Sequence, residues 1–204
     1  MGRKSLRVPD IWGGLECSFN RVDDLYMDQL QMCGHYDRVE PDIDSIAALG
    51  IKAMRYPIIW ERHQPEPGQS IEFDETVTRA LDRLRTHGIT PIAGLVHHGS
   101  GPAYSDLLSD AFATALSNFA GKVGQKFPWI EHYTPVNEPL TTARFGALYG
   151  FWYPHQNTDA AFARALVNEM KAVVLSMQEI RKINPAAKLV QTEDLGKTHS
   201  TEKL

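Results

Sequence analysis

Apolar residues fall into two kinds of segment that alternate along the chain. Short apolar runs bounded by Gly, Pro or polar turns are typical of buried strands, and such runs occur at 11–17, 51–60, 89–98, 130–139 and 187–194. Longer amphipathic stretches typical of helices lie between them, at 41–50, 73–88, 105–127 and 158–184. Gly50 and Gly88 stand where helix C-caps are expected. The pattern therefore predicts strands and helices in regular alternation.

This alternation indicates a parallel sheet whose strands are joined by crossover helices. Two architectures satisfy it, a doubly wound sheet and a (β/α) barrel, and the hydrophobic pattern alone does not close the barrel. The segment WGG at 12–14 lacks the GxGxxG spacing of a dinucleotide-binding turn. A dinucleotide-binding fold therefore receives little support.

The composition is that of a folded globular protein. Apolar residues make up 43% and charged residues 23% of the 204 positions, as in ordinary domains. The net charge is −4 without a basic stripe, which argues against a nucleic-acid partner. No segment has the apolar pattern of a signal peptide or a membrane span, so we expect a cytoplasmic protein. Cys17 and Cys33 are too few for a disulfide framework or a zinc site, and we expect two buried thiols.

Polar residues cluster where the predicted strands end. The carboxyl ends of parallel strands meet on one face of an α/β fold, where reactive side chains gather. Pairs of polar residues stand at these ends: Glu16 and Asn20, Arg55 and Glu61, His97 and His98, Asn137 and Glu138, and Glu193 and Asp194. This coincidence predicts a functional site on that face.

Several of these residues also have a purely structural interpretation. Arg55, in the middle of an apolar strand, either serves the site or pairs with a structural carboxylate. Neighbouring residues of a strand point to opposite faces, so we expect one of His97 and His98 to face the pocket and the other to pack, which argues against a shared metal ion. Glu193 and Asp194 are expected to open the next loop and face water.

Glu138 is the strongest candidate for chemistry. Pro139 stops the strand's ladder, so Glu138 is held at the rim of the sheet, where a general acid could place its proton on a leaving oxygen. The amide of Asn137 could hydrogen-bond a sugar hydroxyl. Aromatic residues follow at 149–155, and flat aromatic faces stack well on sugar rings. A carbohydrate is therefore the expected substrate class.

Four segments resemble the family 1 glycoside hydrolases, which are retaining β-glycosidases built on a (β/α)8 barrel. TPVNEP resembles the family's TxNEP motif, and this resemblance implies that Glu138 is the general acid and base, with Asn137 binding substrate. WGGLECSFN is similar to the opening strand of the family, in which a Gln binds substrate, and Asn20 stands at that position.

The other two segments carry further implied roles. KAMRYPIIWER resembles YRFSISWSR, which implies that Arg55 supports the nucleophile and that Trp60 is a matching supporting residue. LVHHG is similar to LYHWD, so His97 matches the sugar-binding His, while His98 stands where the family has Trp. The resemblance implies no metal and no cofactor.

The fold expected from the resemblance is a partial (β/α)8 TIM barrel, with about the first five strands and their helices. Residues 1–204 would then form a single incomplete barrel domain. The subgroup resembled is bacterial and often fused to a dTDP-4-dehydrorhamnose reductase. The expected partners are therefore a carboxyl-terminal half-barrel or such a reductase, in addition to a carbohydrate substrate.

A retaining glycosidase needs a second carboxylate, about 5 Å from the first. In the resembled family it sits in a TENG-like motif on the seventh strand, which lies beyond residue 204. Glu193 could replace it only from the opposite side of the scissile bond. We therefore expect a fragment that is inactive alone, and the alternative is a non-catalytic carbohydrate-binding or interaction module.

Overall fold

The computed structural model describes residues 10–194 and 196 and contains the predicted parallel sheet. Its five strands are paired in the order in which they follow one another along the chain, and every pair is parallel. The strands comprise β1 (Trp12–Gly14), β4 (Ala53–Pro57), β5 (Thr90–His97), β6 (His132–Asn137) and β7 (Lys188–Leu189). The strand order follows the chain order without the reversal of a doubly wound sheet. Of the two architectures that the pattern left open, this order favours the barrel.

Helices connect the successive strands of the sheet. The α-helices are α1 (Gln29–Met32), α2 (Val39–Ala48), α3 (Trp60–His63), α4 (Glu75–Thr86), α5 (Phe112–Lys126), α6 (Pro139–Ala143) and α7 (Asp159–Ile183). A 3₁₀ turn spans His35–Asp37, and a π-helical turn spans Arg144–Leu148. The four long amphipathic stretches of the sequence correspond to α2, α4, α5 and α7.

The first strand is followed by an antiparallel hairpin. The sequence pattern did not predict this hairpin. Its strands are β2 (Phe19–Val22) and β3 (Leu25–Asp28). Asp23 in the turn has a φ of 53°, in the left-handed region that Asp tolerates better than most residues. Asn20 therefore lies on this hairpin, opposite Met27, and not at the end of a sheet strand.

Several predicted boundaries were wrong by a few residues. The second strand ends at Pro57, and Trp60 begins α3 instead of continuing the strand. Residues 105–111 precede α5 as turns, and the fifth strand has only two residues. Burial explains the first two errors, because Ile58, Trp60 and Leu107 all lie in the core and burial alone does not distinguish a strand from a loop.

The core lies between the sheet and its helices and is rich in aromatic side chains. Trp60 is fully buried and stacks on Phe119 of α5, with ring centroids 6.3 Å apart. Tyr56 and Tyr133 are also among the largest fully buried side chains. Cys17 is buried, whereas Cys33 is exposed, so the prediction of two buried thiols was wrong for Cys33. None of the described helices is long and apolar enough to cross a membrane.

Candidate active site

The carboxyl ends of β5 and β6 bring two predicted site residues together. The parallel register of these strands pairs His97 with Asn137. Both residues are almost fully buried, with 2% and 1% of their surface exposed. Residues paired across a parallel ladder present their side chains to the same face, so the sheet itself positions this contact.

The side-chain amide of Asn137 is held at the centre of the site. Its oxygen accepts hydrogen bonds from Arg55 Nη1 and from Thr192 Oγ1, the latter at 2.8 Å. Two donors at the oxygen fix the orientation of the amide, so the nitrogen faces the histidines. Asn137 Nδ2 lies 3.1 Å from His97 Nε2 and 3.3 Å from His98 Nε2.

The hydrogen-bond network assigns one tautomer to both histidines. The two N–H groups of Asn137 donate to the two Nε2 atoms, so each ring carries its proton on Nδ1. His97 Nδ1 then donates to Cys17 Sγ at 3.1 Å, and His98 Nδ1 donates to Thr142 Oγ1 at 3.1 Å. Burial lowers the pKa of both rings, that of His97 to about 3. Both rings are therefore neutral near pH 7.

The prediction that the two histidines face opposite sides was wrong. His98 follows the last residue of β5 and has a φ of 54°, in the left-handed region. This conformation ends the alternation of an extended strand, and the two rings lie edge to face with centroids 4.8 Å apart. His98 also lies against Trp152, 5.3 Å away between ring centroids. Both histidines therefore belong to the site.

Glu138 lies at the rim in an unusual backbone conformation. Its φ of 46° and ψ of 64° are left-handed, and Pro139 directly after it begins α6. Such a conformation costs a non-glycine residue about 1–3 kcal/mol and is found most often at functional sites. The side chain is 31% exposed, and Oε2 lies 3.8 Å from His98 Nε2. The carboxylate is therefore next to the histidines and still reachable from solvent.

Arg55 has room between two glycines on the neighbouring strands. A Cβ at Gly14 would lie 3.6 Å from the Cβ of Arg55, and one at Gly94 would lie 3.7 Å from its Cγ. Among the described residues no carboxylate forms an ion pair with Arg55, so the structural alternative has no partner in this part of the chain. Its guanidinium instead donates to the amide of Asn137 and to Thr192.

Two other predicted residues lie apart from this network. Asn20, on the hairpin, takes part in none of the described hydrogen bonds that join the cluster. Trp60 is buried in the core and donates from Nε1 to Gln64 at 3.0 Å. A Cβ added to Gly101 would lie 2.6 Å from the Trp60 ring. The ring therefore packs closely against the backbone of the loop after β5 and supports that loop from the core.

Several residues join the network although the sequence pattern assigned them no individual role there. Glu16 Oε1 lies 3.2 Å from His97 Nε2, with the side chain 60% exposed. Burial raises the pKa of Glu16, but hydrogen bonds from Ser18 and the nearby imidazoles leave it below its usual value. The others are Cys17, Thr142 and Thr192. Glu16 stands among the polar residues at predicted strand ends but was given no role, whereas Cys17, Thr142 and Thr192 carried no such signal.

Glu193 is partly buried, so the prediction that it faces water was wrong, whereas Asp194 is exposed as predicted. The carboxylate of Glu193 accepts from the backbone N–H of Leu140 at 2.8 Å and from that of Asp194 at 3.1 Å. Both oxygens are thus engaged by backbone donors beside the first turn of α6. This engagement holds the carboxylate in a structural role.

Comparison with known proteins supports one family. Residues 16–201 match the model of glycosyl hydrolase family 1. Beta-glucosidase A of Thermotoga maritima is 28% identical over 163 residues, which cover 74% of this chain and 35% of that protein. A 1,4-beta-D-glucan glucohydrolase of Thermotoga neapolitana is 28% identical over 164 residues, covering 74% of this chain and 37% of its own length.

The solved structures give the same result for the fold. The Thermotoga maritima β-glucosidase in complex with castanospermine has a TM-score of 0.75 and 25% identity, covering 84% of this chain and 40% of that chain. The chain thus spans well under half the length of these relatives. The α/β fold is that of a (β/α)8 barrel, of which the described residues supply five strands and their helices. Since the family model matches most of its length, the chain belongs to glycosyl hydrolase family 1.

Proposed function

We propose that this chain carries the acid/base half of a retaining β-glycosidase site and binds a carbohydrate there. The supporting observation is the convergence of Arg55 and His97 on the amide of Asn137, directly before Glu138. The printed names of the relatives, β-glucosidase and β-glucan glucohydrolase, favour a β-glucoside as substrate.

Glu138 is the proton donor in this proposal. Its carboxyl protonates the glycosidic oxygen as the bond to the leaving group breaks, and its carboxylate then takes a proton from the attacking water. The position at the solvent-accessible rim suits a group that must reach a leaving oxygen. The oxygen of Asn137 is held by Arg55 and Thr192. Its nitrogen and Nε2 of His97, which hydrogen-bond each other in the structure, exchange that contact for hydrogen bonds to a sugar hydroxyl when the substrate binds.

The nucleophile of this proposal comes from outside the described residues. A retaining mechanism places it about 5 Å from the acid/base, on the other side of the sugar, whereas both oxygens of Glu193 are engaged by backbone N–H groups. We propose that a carboxyl-terminal half-barrel supplies this carboxylate, and that residues 1–204 are a single incomplete barrel domain without activity alone. A fused dTDP-4-dehydrorhamnose reductase remains a predicted partner. The cytoplasm remains the predicted location.

Calorimetric titration with D-glucose and cellobiose tests the site. We expect millimolar or tighter binding by the chain, loss of binding in His97→Ala, and retention in Glu138→Gln, which keeps the shape of the carboxyl group. His87→Ala serves as the matched control, because its ring pairs with Asp44 on the surface, 2.7 Å away. The absence of binding of either sugar would contradict the proposal.

An assay on aryl β-glucosides tests the division of the site. The chain alone should show no turnover above the buffer rate. Turnover that Glu138→Gln abolishes would support the role of Glu138 and contradict the proposal that the nucleophile lies elsewhere. A different outcome would favour the non-catalytic carbohydrate-binding module: the chain binds sugar but shows no turnover even after a complementing half-barrel is added, and Glu138→Gln binds sugar equally well.

A further inference from the structure

We propose that Glu16, His97 and His98 form a binding site for a divalent transition-metal ion, of which Zn²⁺ suits the donor set best. Two imidazole nitrogens and one carboxylate oxygen are a ligand set that proteins use for zinc. This inference goes beyond the glycosidase proposal and does not rest on it; because both use His97 Nε2, an ion and a sugar hydroxyl would occupy that nitrogen in turn and not together.

The three donor atoms are close enough to share one ion. One ligand atom from each residue lies within 4.8 Å of the other two, and Glu16 Oε1 is 3.2 Å from His97 Nε2. Tetrahedral coordination with bonds of about 2.0–2.2 Å places neighbouring ligand atoms roughly 3.3–3.6 Å apart. The pair formed by Glu16 and His97 is already near this spacing. Because the side chain of Glu16 is 60% exposed, it can adjust without repacking the core.

The backbone at the end of β5 makes this grouping possible. In a regular strand His97 and His98 would point to opposite faces, but the left-handed φ of His98 brings its ring beside that of His97. The Nε2 atoms of both rings then approach the same amide nitrogen of Asn137. The two Nε2 atoms therefore lie close together, and an ion that bound both would displace the amide nitrogen of Asn137 from between them.

Among the described residues, two carboxylates face the histidines, Glu16 near His97 and Glu138 at 3.8 Å from His98 Nε2, against one nearby cation, Arg55. His97 Nε2 is an acceptor in the assigned tautomer, yet a carboxylate oxygen of Glu16 lies 3.2 Å from it. Two atoms with lone pairs repel each other at this distance unless a positive charge lies between them. An ion there would take over the two lone pairs that Asn137 now engages.

The outer nitrogens of both rings are already held as they are in metal sites. Histidine ligands usually donate from their other nitrogen to a fixed acceptor, which sets the tautomer and the ring orientation. His97 Nδ1 donates to Cys17 Sγ and His98 Nδ1 to Thr142 Oγ1, each at 3.1 Å. Both Nε2 atoms are therefore pre-oriented for coordination.

Metal titration of the full chain tests the proposal. After treatment with a chelator, calorimetry with ZnCl₂ should show one ion per chain, and CoCl₂ should give the visible absorption of four-coordinate cobalt. Glu16→Gln and His98→Gln should each weaken Zn²⁺ binding at least ten-fold and remove the cobalt band. MgCl₂ should not compete, because Mg²⁺ prefers an all-oxygen shell.

His155→Gln is the matched control, since His155 also faces a carboxylate, with Nε2 3.7 Å from Asp23. Its Zn²⁺ affinity should equal that of the unaltered chain. Circular dichroism melts establish that each variant is folded; because Glu16 is largely exposed, Glu16→Gln tests the site even if His98→Gln unfolds. A missing cobalt band, or Zn²⁺ affinity that Glu16→Gln leaves unchanged, would overturn the proposal, whatever the outcome of the sugar titrations.

Discussion

Gly99, in the loop directly after the paired histidines, is a residue whose lack of a side chain the fold requires. A Cβ at this position would lie 2.1 Å from Glu61 Oε1 and 2.7 Å from the backbone oxygen of Phe19. The second of these atoms is backbone and cannot move away cheaply. The loop after β5 thus passes between the buried carboxyl group and the hairpin only because this residue is glycine.

Gly99→Ala is therefore expected to destabilise the protein by about 1–3 kcal/mol, the usual range for overpacking. Gly121→Ala is the control: a Cβ there would meet only Glu179 Cβ at 3.5 Å, and alanine should stabilise helix α5 by about 0.5–1 kcal/mol. Urea unfolding measures both changes. Equal effects of the two substitutions would contradict this account.

Glu61 is a second residue whose environment has a measurable consequence. It is only 4% exposed, and Oε1 accepts from the backbone N–H of Gly101 at 3.0 Å, while no described partner reaches Oε2. Burial raises the pKa of Glu61 to about 8. Near neutral pH the folded protein therefore keeps this carboxyl group protonated, whereas the unfolded chain does not.

Stability should consequently fall as pH rises through this window. Between the ordinary carboxyl pKa of 4.5 and the folded value of about 8, the folded state binds one more proton than the unfolded state, so the free energy of unfolding decreases with pH. Glu61→Gln should flatten this dependence, as measured by urea unfolding at several pH values across the window. Glu131→Gln, at an exposed position, should retain the slope; a slope unchanged in Glu61→Gln would rule out Glu61 as its source.

At the scale of elements, the beginning of α4 shows how one side chain can set a helix boundary. Asp74 Oδ1 accepts from the backbone N–H of Val77 at 2.9 Å, and Oδ2 pairs with Arg62 Nε at 2.7 Å. The first contact is an N-cap, and the second ties α4 to the end of α3.

Asp74→Ala should cost about 1–2 kcal/mol, because it removes the cap and the partly exposed ion pair. Asp74→Asn keeps an oxygen for the cap and should lose less. Asp82→Ala, at a side chain that is 65% exposed, should change stability by no more than about 0.5 kcal/mol. Thermal melts compare the three variants, and an Asn variant as unstable as the Ala variant would assign the effect to the ion pair alone.

Elements were predicted from the sequence more reliably than the details of the site. The hydrophobic period and the length of each segment predict strands β4, β5 and β6 and the long helices. Buried strands require short apolar runs, and amphipathic helices require longer segments with apolar residues on one face. The hairpin was not predicted, because its strands FNRV and LYMD have only four residues each, too few for a period to show. Asn137 and His97 were found because strand ends converge, whereas the orientation of His98 depends on a single backbone angle that no periodicity encodes.

At the scale of the whole molecule, α7 presents an apolar stripe to solvent in the described part of the structure. Val167, Met170 and Val174 are 50%, 44% and 54% exposed, and their spacing places them on one face of the helix. Exposed apolar area of this kind is where a further segment or another molecule would pack.

Replacing Val167 and Val174 by Lys should lower binding of a hydrophobic dye and reduce self-association in sedimentation experiments. Because neither side chain is buried, the free energy of unfolding should change by no more than about 0.5 kcal/mol per site. Gln178→Lys on the same helix adds charge at an exposed polar position and should leave dye binding unaltered. Unchanged dye binding in the double variant would show that the dye does not bind to this apolar stripe of α7.

The contacts of the Asn137 amide also determine when the site can form during biosynthesis. Its hydrogen bonds reach 40 residues back to His97, which in turn contacts Cys17 across 80 residues, and 55 residues forward to Thr192. On a ribosome the sheet can begin to assemble as soon as its early strands emerge, but the amide acquires its full set of partners only after Thr192 has left the exit tunnel. A nascent chain released before that point would carry Glu138 on a rim whose neighbours are not yet fixed.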